Sequence, residues 1–223
     1  MTKQGLINKI KAKLEEISPF DDSSFLEQDN LVKPITSYIE DALVNSCNQA
    51  RLIIPLHLFK PKELENKDIY KTSDLTGYVI LPSDFLRLYA FRMMSWKRDV
   101  TDAISTQNPQ YKLQRNKYTM GKPESPVCVI NTNVEFYDSI PPGETKLKRL
   151  SKTLEYYSIR KFVLHKIERA LYVPLFDEAN IEDELSEFYS LCTCIDVLAI
   201  MGDEGKKKLM EGELKLLITS NTL

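Results

Sequence analysis

A change of hydrophobic period constrains this chain more than any other feature. Apolar residues recur every three to four positions near both ends and roughly every second position in the middle. At the N-terminal end Leu6, Ile7, Ile10, Leu14 and Ile17 fall at helical intervals with lysines between them. Ser18, Pro19 and the polar run at 21–24 break this first helix, and a longer one is expected from about Leu31, with Pro34 in its first turn. Its apolar set, Ile35, Tyr38, Ile39, Ala42, Leu43 and Ser46, aligns one buried stripe and leaves Glu40, Asp41, Asn45 and Asn48 outside. Pro55 and Pro61 end that unit.

From Asp74 the pattern becomes β-like. A short strand is expected at 78–82, and a longer one in the aromatic and aliphatic run at 85–96, closed by Lys97, Arg98 and Asp99. Strands at 127–130 and 134–137 flank Asn131-Thr132-Asn133, which predicts a tight hairpin turn. Pro141-Pro142-Gly143 punctuates the chain before a last strand at 154–159. Between 105 and 126 a polar stretch with Pro109, Gly121, Pro123 and Pro126 reads as a long excursion holding at most one short element.

The C-terminal third reads as helical. Asn180 is an expected N-cap, acidic residues at 182–184 load the first turn, and Ile181, Leu185, Phe188, Cys192, Ile195 and Ala199 trace one face until Gly202 stops it. Asp203 caps a following helix, in which Met210, Leu214 and Leu217 form a stripe while Lys206, Lys207 and Lys208 face water; the tail at 219–223 frays. Helices, then strands, then helices predict an α+β fold: a discontinuous helical bundle from the N- and C-terminal helices with an inserted antiparallel β lobe. The expected boundaries are 1–73 and 163–223 for the helices and 74–162 for the lobe.

Charge narrows the function classes. Thirty basic against thirty-two acidic side chains give a net charge of -2 over 223 residues, which removes the overall drive of a dedicated nucleic-acid binder. The amino-terminal segment lacks a signal-peptide core, and no apolar run is long enough for a bilayer, so a soluble chain with no membrane partner is expected. Cys47, Cys128, Cys192 and Cys194 are too dispersed for a disulfide framework and read as reduced, mostly buried thiols of a cytoplasmically made protein.

Constellations for chemistry are few. His57, set in Pro-Leu-His-Leu-Phe, reads as a packed imidazole, and Cys192 and Cys194 on a helix cannot present two thiolates to one ion as a Cys-x-x-Cys turn does. Gly202 to Lys206 is too short and too acidic for a phosphate cradle. Basic clusters at Lys146, Lys148, Arg149 and Lys152 and at 206–208 read as solvated faces. No catalytic, cofactor-binding or metal-binding residue is assigned, and no cofactor is expected. The run at 85–96 stands apart, because alternation places Phe85, Arg87, Tyr89, Phe91 and Met93 on one face and Leu86, Leu88, Ala90, Met94 and Trp96 on the other. Large side chains on both faces need two covers, one the chain's own core and the other either a lobe of the same chain or a neighbouring subunit; for the latter, Phe85, Arg87, Tyr89, Phe91, Trp96 and Arg98 are the candidate subunit contacts.

Residues 81–105, LPSDFLRLYAFRMMSWKRDVTDAIS, followed by PQYKLQ at 109–114, resemble head-to-tail connector (ring or adaptor) proteins of tailed bacteriophages of the crAss-like type. The resemblance covers roughly 78–137. It implies a virion structural protein, made in the host bacterial cytoplasm and present as a dodecameric homo-oligomeric ring beneath the portal protein. That ring prolongs the channel through which genomic DNA passes non-specifically and docks further connector or tail proteins, without catalysis. Near-balanced charge suits a conduit along which DNA slides. The competing expectation is a small intracellular enzyme or regulator with a site around His57 or the Cys192/Cys194 helix.

Overall fold

The computed structural model describes residues 1–17, 34–65, 67–137, 148–159 and 163–222. Among them the protein is mixed α+β, with five α-helices and two sheets. In chain order these are α1 (Lys3–Ile17), α2 (Ile35–Ile53), β1 (Lys62–Glu63), β2 (Tyr70–Lys71), β3 (Gly77–Ile80), β4 (Phe85–Met93), β5 (Ile104–Ser105), α3 (Pro109–Leu113), β6 (Cys128–Tyr137), β7 (Lys148–Tyr156), β8 (Ile167–Pro174), α4 (Ser186–Met201) and α5 (Glu204–Ser220). Contacts divide the chain into two units, Met1–Lys60 with Leu175–Leu223, and Pro61–Pro174. The break expected at 18–24, the helix start at Leu31, the punctuation at 141–143, Lys146 and Leu223 lie outside the described residues.

In the first unit, α1 buries Leu6, Ile7, Ile10 and Leu14, the stripe its period predicts. Helix α2 buries Ile39, Ala42, Leu43 and Ser46 as expected and adds Cys47, Ala50 and Arg51. The segment after Asn180 differs from expectation. Asn180 hydrogen-bonds Asp177, a 3₁₀ turn spans Asp183–Leu185, and α4 starts only at Ser186. Nor does α4 have a single apolar face: it buries every residue of 188–194 because α1, α2 and α5 all pack on it, while Ala199 is exposed. A helix covered on several sides reads as apolar nearly all round. Gly202 ends α4 in the left-handed region at φ 78°, and Asp203 caps α5 by accepting from the Lys206 amide at 3.0 Å.

The second unit holds both sheets. One has the order β1-β8-β4, the other β2-β3-β7-β6-β5, with every pair antiparallel except β5 with β6. The β region therefore extends beyond 74–162 at both ends, because β1 and β2 precede it and residues 167–174, expected to be helical, are a strand between β1 and β4. The expected turn at Asn131-Thr132-Asn133 is not a turn. Strand β6 runs straight through it with one extra residue, since Asn131 pairs with Thr153 but Val134 with Ser151. That is a β-bulge, which interrupts the ladder without turning the chain. Both sheets feed one apolar cluster that includes Val79, Leu88, Met93, Leu154, Ile167 and Tyr172.

Candidate functional site

Three of the six candidate contacts are core. Phe85 and Phe91 are 1% exposed and Trp96 2%. Phe85 stacks on Tyr172 with centroids 5.8 Å apart, and Phe91 meets the Trp96 ring edge-on at 5.7 Å. Side chains sealed in this way have no surface left for another subunit. Simple alternation misassigns them because β4 slips register against β8 three times, at Phe85/Arg87, Leu88/Ala90 and Arg92/Met93. Each irregularity re-aims the following side chains, so β4 buries Phe85, Leu88, Ala90, Phe91 and Met93 in no two-residue period.

The other three stand nearer solvent. Arg87 and Tyr89 are half-buried; burial pulls the Arg87 guanidinium below its ordinary value, with Asp102 opposing. Arg98 is exposed and donates to Ser125 Oγ at 2.9 Å. Met94, just after β4, projects into water.

Exposed apolar side chains elsewhere went unnoticed in the sequence. On the second unit Leu164 is 71% exposed; on the first, Leu209 and Leu216 of α5 are 63% and 72% exposed. Seven residues apart, these two leucines share one helix face, whereas Met210 points to the core at 2%. The signal was present as a second, weaker stripe in α5, alongside the Met210, Leu214 and Leu217 set.

The titratable groups do not converge. His57 is exposed on a 3₁₀ turn, Leu56–Leu58, in place of the packed position expected, and Ile54 and Phe59 are the buried residues flanking it. His165 is the buried histidine: the Asp74 carbonyl can only accept, so Nε2 donates to it at 3.0 Å, and Nδ1 shares a 2.6 Å hydrogen bond with Tyr156 Oη. All four cysteines are free and buried, as expected. Burial pushes the thiols of Cys47, Cys192 and Cys194 up to about 12 and Cys128 well above its usual value, so all stay protonated.

One buried ionic cluster escaped the sequence reading. Arg51, 2% exposed in α2, clasps Glu182 through two contacts of 3.0 and 3.1 Å and donates to Tyr189 Oη at 2.7 Å, while its guanidinium lies over the Phe59 ring. It orders the approach to α4. A basic residue in the last turn of a helix normally faces water, so nothing in the local pattern marks it.

Among the described residues no group of three or more His, Cys, Asp or Glu could hold a metal ion, and no helix is long and apolar enough to cross a membrane. Compared with protein-family models, curated proteins and solved structures, the chain matches none.

Proposed function

We propose that the chain is a structural virion protein of a tailed-phage head-to-tail connector: a ring subunit below the portal protein that extends the genome channel and docks further connector or tail proteins. In this reading the N- and C-terminal helices form one discontinuous bundle that docks axially, and the β region is an inserted lobe that packs laterally against neighbours. The resemblance at 81–114 motivates it. The observation that carries it is the presence of large exposed apolar side chains on both units, Leu209 and Leu216 on one, Met94 and Leu164 on the other. A closed ring of identical chains is built from heterologous contacts, so each subunit needs two unlike surfaces. Arg87, Tyr89, Arg98 and Met94 then form the lateral candidate set, without Phe85, Phe91 and Trp96. The chain acts by shape, without catalysis or cofactor.

Native mass spectrometry of the purified chain, alone and with portal protein, tests this. The expected result is one discrete cyclic oligomer, a dodecamer, or a defined complex on portal. L209E/L216E and M94E/L164E each break assembly while leaving the monomer folded. A strict monomer that ignores portal contradicts the proposal.

A further inference from the structure

We propose that the excursion between β5 and β6 binds a nucleic-acid strand, its cations on the phosphates and Tyr118 against an unpaired base. Residues 103–123 contain no aspartate or glutamate but hold Lys112, Arg115, Lys117 and Lys122, in a chain whose overall charge is -2. All four are exposed. Among the described residues none of them has a carboxylate within ion-pair distance, whereas Lys9, Lys13, Lys62, Lys97 and Lys206 are each paired. Four exposed cations without an ion-pair contact, of which Arg115 feels the carboxylate of Glu155, make this short segment an anion-binding surface.

The rings decide which polyanion. Tyr118 is 78% exposed with the Lys117 ammonium 4.8 Å from its centroid, and the Arg115 guanidinium lies 5.3 Å from the Tyr111 centroid. Aromatic faces interleaved with cations stack bases and follow a phosphodiester backbone; an acidic peptide has no use for the rings. Next to Tyr118 opens a hollow of about 340 Å³ whose lining includes Gln110, Gln114, Thr119, Lys122 and Ser125. Gln114, Thr119 and Ser125 already hydrogen-bond within the protein, so the Gln110 amide and the Lys122 ammonium are the groups this hollow presents to the edge of a splayed base, beside apolar Leu113, Met120 and Val127.

The surface is built on a fixed support. Asn108 caps α3 through the Gln110 amide, and buried Gln114 accepts from the Gly121 amide at 2.9 Å. A Cβ on Gly121 would stand 2.6 Å from Ser158 Oγ, so the excursion is seated closely.

This inference stands on the surface alone and needs no ring. Fluorescence anisotropy with a labelled mixed-sequence single strand of about 20 nucleotides tests it, with the oligomeric state of each sample read separately by native mass. Four phosphate contacts predict an affinity that falls about 50-fold between about 50 and about 200 mM salt. K112A/K117A/K122A loses at least roughly tenfold in affinity and about two units of salt slope. Tyr118→Ala weakens the single strand roughly fivefold or more and leaves binding to the matching duplex unchanged. K206A/K207A/K208A on α5, folded and equally charged, binds as the wild type does. Absence of wild-type binding at low salt, an unaffected triple variant, an unaffected Tyr118→Ala, or equal loss in the α5 variant overturns the proposal.

Discussion

Replacing Arg51 by methionine tests the ionic cluster of the helical unit. The change keeps an apolar stem and removes the guanidinium, stranding the Glu182 carboxylate beside Tyr189 Oη. Breaking a fully buried pair by deleting one partner costs about 3–5 kcal/mol. Arg51 is 3% exposed at its side chain but Glu182 is 28% exposed, so water relieves part of the stranded charge. The expected loss is therefore near the lower end, about 3 kcal/mol. For a unit of this size that lowers Tm by about 10 °C or more. Thermal melts followed by circular dichroism read it, and a double-mutant cycle isolates it: Arg51→Met and Glu182→Gln together cost less than the sum of the two singles, by at least about 1.5 kcal/mol. A Tm within about 2 °C of wild type for Arg51→Met, or additive singles, refutes the account of the cluster.

Other consequences are open to measurement. Gly77→Ala places a Cβ 2.2 Å from Tyr156 Oη and 2.7 Å from the Tyr70 carbonyl, so it destabilises the β unit by about 2 kcal/mol in denaturant melts. Gly202→Ala meets nothing within 4 Å but must adopt φ 78°, and it costs about 1 kcal/mol from backbone strain alone. Burial raises the Glu187 carboxyl, but its bonds to Lys13 and Lys9 outweigh this and hold it below the ordinary value of 4.5. Its stabilising effect is therefore complete above that ordinary value and disappears as pH falls through the lower folded value; K9A/K13A flattens the acid limb of a stability-versus-pH curve. Protonated, buried thiols predict that iodoacetamide labels none of the four cysteines in the native chain at mildly alkaline pH and all four in denaturant, as counted by mass.

The helical ends were the most legible part of the sequence. The α1 stripe, the Gly202 stop and the Asp203 cap are local features, each set by a few neighbouring residues. The β region was legible in kind but not in detail, because its details come from distant partners. Strand β8 exposes the consecutive charged residues Glu168 and Arg169, and only pairing with β1 and β4 makes 167–174 a strand. The bulges in β4 likewise depend on β8, and they move Phe85, Phe91 and Trp96 from a supposed interface into the core. For the candidate surfaces, the acid-free composition of 103–123 and the seven-residue spacing of Leu209 and Leu216 were visible; their exposure was not, since it depends on what the tertiary fold covers.

Electron microscopy of phage particles labelled with an antibody to this chain should place label at a single vertex, the one through which the genome leaves, and averaging there should show a ring of this subunit beneath the portal. Label on the capsid faces or distal tail, or a neck without the chain, contradicts the account.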